Sequence, residues 1–448
     1  MKKYDIVVIG GGPAGVISAV TAKKYYPDKN VILVRKVEKG VIPCGIPYVF
    51  SSLDSVDKNI MPDKPLETNN IDLMIDELVS IDRKNKIVKF ASAEEIQYEK
   101  LVLAIGSEPI VPPIPGVDKK GIYTIQKDLE FLRELRRKIY ESKNIVIIGG
   151  GFIGVEFADE LSKIESLNIH IVEMLPHCLS GAFDEELSIP VEEKLRDMGI
   201  ELHLGVKAEE FIGGEKVEQV KLSNGEVLPA DLVILAIGAK PKTKIAEEAG
   251  LYIGRGGGIW VDEYMRTSDP DIFAIGDCAE KRCFFTRKHI PVMLASIATS
   301  EARIAGSNLY ELKVVRENRG TIAVFSTKVG DLALGSAGLI EKRAKEEGFE
   351  VITGVARGVD KHPGALPGAN QVMVKLIFSK CSGTILGGQV LGGPSAGEVI
   401  NIIGLAIQKR VQAVELETLQ MATHPWLTPA PTVYPVVVAA MNALSKIK

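Results

Sequence analysis

Two segments of this chain share one form. In YDIVVIGGGPAGVISAVTAKK, residues 4–24, a β-branched run reaches Gly10, glycines follow at 12 and 15, and a helical pattern takes over. The second copy, NIVIIGGGFIGVEFADELSK, has its glycines at 149, 151 and 154, an offset of 139 residues. In G-x-G-x-x-G the first glycine permits a tight turn, the second lets a pyrophosphate approach the backbone, and the third lets helix and strand pack closely. The anion then sits at the positive end of the helix dipole. One match is weak, because a glycine-rich turn can be purely structural. Two matches, each followed by another strand (VILV, 31–34, and NIHIVE, 168–173), predict two bound dinucleotides. Gly10, Gly12, Pro13, Ala14 and Gly15 form the first predicted cradle, and Gly149, Gly151, Phe152, Ile153 and Gly154 the second.

The strands after the two cradles end differently. Glu173 places a carboxylate where an adenosine ribose offers two hydroxyls, and it would repel a 2′-phosphate, so the second site is expected to take NADH rather than NADPH. The first site has Arg35 there, which accepts no hydrogen bond, and Glu38 is the nearest carboxylate. Further on, FAIGD ends at Asp277, which suits a polyol hydroxyl or a strand-ending turn. LVLAIGSEP (101–109) and LVILAIGAKP (232–241) are near-repeats through Ala104, Gly106 and Gly238, and read as crossing points between domains.

A chain of 448 residues predicts two to four domains. The formal net charge of −4, without blocks of like charge, gives no reason to expect nucleic acid as a partner. Five irregularly spaced cysteines argue against a secreted disulfide framework and for a reducing compartment, the cytoplasm. The N-terminus reads as a strand and turn without a cleavage site, and no apolar stretch is long enough to span a membrane. The C-terminal third alternates strand and helix patterns without a nucleotide motif. Its helix at about 395–410 carries an apolar stripe that suits a core or a dimer face.

One cysteine stands apart. Cys44, in GVIPCGIPY, is either a small buried hydrophobe or a redox sulfur. Ile46, Val49, Phe50 and Leu53 fall at helical spacing, which predicts a helix from about Gly45 and puts Cys44 at its positive end, where thiolate is favoured.

Together these residues resemble the FAD-dependent pyridine nucleotide-disulfide oxidoreductases over nearly the whole chain. The single cysteine in C-G-x-P-Y is similar to the branch holding coenzyme A disulfide reductases, NADH:polysulfide oxidoreductases, NADH oxidases and NADH peroxidases. The resemblance implies an α/β fold of two Rossmann-like domains and a C-terminal α+β domain. It places an FAD-binding domain at 1–112 and 243–320, an NADH-binding domain at 113–242, and an interface domain at 321–448 that makes a homodimer. It further implies FAD at Gly10, Gly12 and Gly15 with Asp277 on the ribitol, NADH at the second cradle, and electrons reaching Cys44. Glu156 resembles the glutamate that family members set beside nicotinamide and flavin. His424, followed by proline, resembles the acid-base histidine of the two-cysteine reductases.

Departures from the family pattern bear on the acceptor. Pro13 and Gly40 stand where oxidases and peroxidases of this branch carry histidine and serine. Leu366 stands where coenzyme A disulfide reductases offer a tyrosine, and Pro429 where a glutamate would orient His424. The expected acceptor is a small disulfide or polysulfide, with oxygen as the alternative. Cys278 and Cys283 form a C-x4-C with His289 after it, too few ligands for a metal site and slightly better as a second redox pair. Lys281, Arg282, Arg287 and Lys288 read as a solvated loop or a phosphate contact. Cys178 and Cys381 carry no motif.

Overall fold

A computed structural model describes residues 1–313 and 318–446. The strand Lys2–Ile9 pairs in parallel with Val31–Arg35 on one side and Glu95–Leu103 on the other. Asp72–Ile75, Ile87–Phe90, Leu78–Asp82 and Ile272–Ala274 complete a seven-stranded sheet. Val31–Arg35 is buried along its whole length, as a parallel strand covered on both faces must be. Its core draws on residues 6–104 and 246–309, so a chain segment from beyond residue 240 returns to finish the first unit.

The second unit repeats the plan with five parallel strands in the order Glu201–Leu204, Asn168–Glu173, Asn144–Ile148, Leu232–Leu235 and Ile122–Thr124. The two near-repeats meet: Ser107–Pro109 and Ala239–Pro241 pair antiparallel where the chain leaves and re-enters the first unit. The crossing point read from AIG is therefore a small two-stranded sheet.

Five antiparallel strands, from Phe325–Val329 to Gln371–Ser379 and Ile385–Gly392, form the third unit. Helices Ala396–Lys409 and Pro435–Leu444 pack on one face, close because glycines stand beneath them. A Cβ at Gly335 would press on Ile400, and one at Gly354 on the backbone of Ala439. The apolar stripe of Ala396–Lys409 serves the core use considered for it. Ile400, Ile403 and Ile407 are buried, while Ile402 and Leu405 on the other side are exposed. Lys375 and Gln389 pair across two strands on the opposite sheet face, which meets the second unit at Asp184.

Two expectations are corrected here. No α-helix starts at Gly45: Pro43–Gly45 and Pro47–Phe50 are separate 3-10 turns. Two prolines four residues apart remove the amides that a continuous helix needs for its ladder. The apolar spacing reflects packing instead, since Val41, Ile46, Val49, Phe50 and Val56 join the core of the second unit, with Phe50 against Phe157. Nor is Lys281 in a solvated loop. It is 7% exposed, and its Nζ donates to Gly276 O (2.6 Å) and Ala279 O (2.9 Å) and pairs with buried Glu301 at 3.1 Å. Among the described residues no helix is long and apolar enough to cross a membrane.

Candidate active site

A single cleft of about 2640 Å³ runs past both glycine turns and past Cys44. At the first turn Gly10 has φ +118°, and a Cβ there would strike the carbonyl of Ala104, so only glycine holds this bend. A Cβ on Gly12 or on Gly151 would meet nothing within 4 Å, which leaves an open hollow at the start of helices Pro13–Tyr25 and Phe152–Leu161. Neither helix has an acidic residue in its first turn, so the amides and the dipole face that hollow unopposed. Each hollow fits a pyrophosphate. Pro13, Ala14, Ala104 and Gly106 line the cleft by the first turn; Phe152, Ile153 and Gly238 line it by the second.

Glu173 lies at the end of its strand and accepts from Gly150 N (2.6 Å) and Leu175 N (2.7 Å). The carboxylate both steadies the glycine turn and faces the cleft. Asp277 accepts from Ser107 Oγ at 2.9 Å and pairs with Lys127 Nζ at 3.4 Å. Its turn is braced from below, where Gly276 N donates to Glu301 at 2.8 Å. Burial pushes the Glu301 carboxyl up, against the pull of Lys281.

Arg35 lines the cleft, whereas Glu38, the carboxylate expected for the first ribose, stands outside its lining. The Arg35 stem lies under Gly11, and its guanidinium is taken by Asp63 (2.8 Å) and by Val37 O (3.0 Å). Glu38 is exposed and contributes only its carbonyl to Arg35; its side chain does not line the cleft. An arginine ending a fully buried strand needs acceptors close by, and a 35–38 turn with Asp63 supplies them.

Cys44 opens onto the cleft from its 3-10 turn. Without a helix behind it the expected low thiol pKa does not arise. Desolvation on the protein side and then the Glu156 carboxylate push the thiol up, while Lys127 pulls it down. Glu156 lines the same cleft, accepts from Thr327 Oγ1 at 2.8 Å, and is itself pushed up by burial. Tyr48, four residues after the cysteine, is raised to about 12 by burial and by Glu156. Lys127 and Thr327 carried no motif, because only folding brings Lys127 to the sulfur and Thr327 to Glu156. Phe152 stacks on Phe325 with ring centroids 4.9 Å apart, so the third unit closes one wall.

The structure does not bring His424 to Cys44 within one chain. The residue is exposed, lies outside the cleft lining, and receives the amide of Trp426 on Nδ1 at 3.3 Å. Cys278 and Cys283 are free and buried rather than a bonded pair, and Cys278 Sγ donates to Leu103 O and Ile275 O. Cys178 is buried and raised to about 12, the state of an inert thiol.

The family model described as pyridine nucleotide-disulphide oxidoreductase matches residues 4–302, and the dimerisation domain of the same family matches 324–433. The chain belongs to this family. It is an NAD(P)H-dependent flavin oxidoreductase with FAD and NADH as cofactors and a C-terminal dimerisation domain. A Methanocaldococcus jannaschii protein named NADH oxidase is 33% identical, over 98% of this chain and 99% of its own. A Pyrococcus horikoshii protein named NAD(P)H coenzyme A polysulfide/persulfide reductase is 34% identical over 88% of each chain. Among solved structures, an NAD-dependent persulfide reductase from A. fulgidus superposes with TM-score 0.91 at 32% identity, covering 99% of this chain and 83% of that one.

Proposed function

We propose that this oxidoreductase passes electrons from NADH, through FAD, to Cys44 and on to a low-molecular-weight disulfide or polysulfide of the coenzyme A type. The observation that carries the reading is one cleft holding two pyrophosphate hollows and, between them, a solvent-open thiol beside a carboxyl whose pKa is raised. When bound, FAD accepts hydride from the nicotinamide and returns two electrons to sulfur.

The first hollow would hold FAD through Gly10, Gly12 and the helix starting at Pro13, with Asp277 on a polyol hydroxyl. The second would hold NADH through Gly149, Gly151 and Gly154, with Glu173 on the ribose. Cys44 attacks the outer substrate sulfur as thiolate, forming a mixed disulfide or persulfide and expelling the other half as a thiolate. Glu156, kept protonated more readily than an ordinary carboxyl, holds a proton beside that sulfur, and Tyr48 stays a neutral donor across the working range. Lys127 offsets negative charge as the Cys44 thiolate is regenerated. His424 would act only if the partner subunit presents it. The three packed cores support domains at 1–112 with 243–320, 113–242 and 321–448, except that residues 41–56, around Cys44, and Val329, Leu334 and Met373 pack with the second core and Phe284 with the third. Cytoplasmic residence is consistent with five unpaired cysteines.

An anaerobic screen of coenzyme A disulfide, polysulfide, peroxide and oxygen tests this. Cys44→Ser is expected to keep NADH-driven flavin bleaching and lose disulfide and polysulfide turnover. Full sulfur turnover in Cys44→Ser, or sustained oxidation by oxygen alone, would overturn it in favour of the oxidase.

A further inference from the structure

Outside the cleft, on the far edge of the second sheet, two histidines and two glutamates converge. His170 lies on Asn168–Glu173, directly opposite Glu201 on the edge strand Glu201–Leu204, and His203 follows two residues later on the same face. His170 Nδ1 is 3.2 Å from His203 Nε2 and 3.4 Å from Glu201 Oε2. The second nitrogen of His203, Nδ1, is 3.2 Å from Glu226 Oε2. Glu226 also receives Asn224 Nδ2 at 3.5 Å.

With its Nδ1–H on Glu226, His203 turns a lone pair inward. Three acceptor atoms then face one another with a single proton, on His170 Nδ1, to share among them. A tetrahedral zinc ion with bonds of about 2.0–2.1 Å separates its donor atoms by about 3.3–3.4 Å. The two measured separations match those edges. The Glu226–His203 contact is the carboxylate-histidine arrangement that orients an imidazole ligand on a metal.

We propose that His170, Glu201 and His203 bind one zinc ion, with water as fourth ligand and Glu226 holding the ring of His203. The metal takes the place of the shared proton, which moves to Nε2 of the His170 ring. Two imidazoles and one carboxylate suit zinc, and copper or nickel would compete. The ion clamps the edge strand to the strand that ends in Glu173, three residues beyond His170, and so stiffens the floor of the second hollow. The site stands apart from Cys44 and does not depend on which acceptor the enzyme uses.

Calorimetric titration of the FAD-loaded protein with zinc chloride tests the proposal. A Cys44→Ser/Cys381→Ser background removes the two exposed thiols as competing ligands. One equivalent per chain is expected, abolished by His203→Asn and weakened about 10–100-fold by Glu226→Gln. Anomalous diffraction at the zinc edge should place the ion between the two rings. No saturable binding, an affinity unchanged in His203→Asn, or an anomalous peak elsewhere overturns it. Should His203→Asn fail to fold, Glu201→Gln and Glu226→Gln, both at exposed positions, decide the matter by the same loss of affinity.

Discussion

Replacing Lys375 with methionine should loosen the third unit from the second. Lys375 is 3% exposed, and its Nζ lies 2.9 Å from Asp184 and 2.8 Å from Glu341, with Glu186 as a third partner. Methionine fills the volume but removes the cation. Asp184 keeps neutral donors, among them Glu341 N (3.1 Å) and Lys342 N (3.3 Å), and loses its charged one. Two charge-assisted bonds of about 1.5–3 kcal/mol each are forfeited, whereas the more exposed Glu186 contributes little. The net cost is about 3–5 kcal/mol, the range for breaking one side of a buried pair. Hydrogen exchange followed by mass spectrometry reads this as opening of Gln371–Ser379 and Phe325–Val329 about 10²–10⁴-fold more often. Phe325–Val329 carries Thr327, so the Glu156 contact should weaken with it.

The pH dependence has a definite sign. Burial opposes ionisation of Asp184 and Glu341, but Lys375 at Asp184, and Lys345 together with Lys375 at Glu341, override it and hold both below the usual carboxylate range. Their contribution is present above about pH 4, the unfolded value, and is lost as pH falls through the lowered folded values. Lys375 is raised, so its contribution is complete below about pH 10 and lost only above that. The difference between parent and variant should therefore be level from about pH 5 to 9 and close at both ends. Exchange within about tenfold of the parent would refute the reasoning, as would a Lys375→Met/Asp184→Asn double variant no better than the single one.

Alkylation of Cys44 by iodoacetamide in flavin-free protein should rise with pH about a midpoint above that of an ordinary cysteine, and Glu156→Gln should lower that midpoint. An unmoved midpoint would remove Glu156 from the thiol's surroundings. Glu173→Gln should raise the KM for NADH about tenfold and narrow the preference over NADPH, since one ribose acceptor and its charge are lost. Equal effects on both nucleotides would point to the Gly150 contact alone. Gly10→Ala, at φ +118°, should leave the purified protein without flavin absorbance.

Local pattern and glycine chemistry were enough to read both dinucleotide units, the strand ending at Glu173, the strands ending in AIG and the helix near 395–410. Each depends on residues within one strand-turn-helix stretch, where period and turn geometry leave few alternatives. The reading failed where neighbours in space overrule neighbours in sequence. Apolar spacing after Cys44 mimicked a helix because Ile46, Val49, Phe50 and Leu53 all pack into the second unit's core, and two prolines broke the ladder. Lys281 looked solvated until Glu301, twenty residues on, met it in the interior.

By itself the sequence determined that this chain binds two dinucleotides and presents one cysteine to them, because close approach of a phosphate to backbone admits only glycine. Tertiary structure alone decided what surrounds the sulfur. Glu156, Lys127 and Asp277 come from three separated segments, and the field that sets a thiol's proton affinity depends on distance through space rather than along the chain.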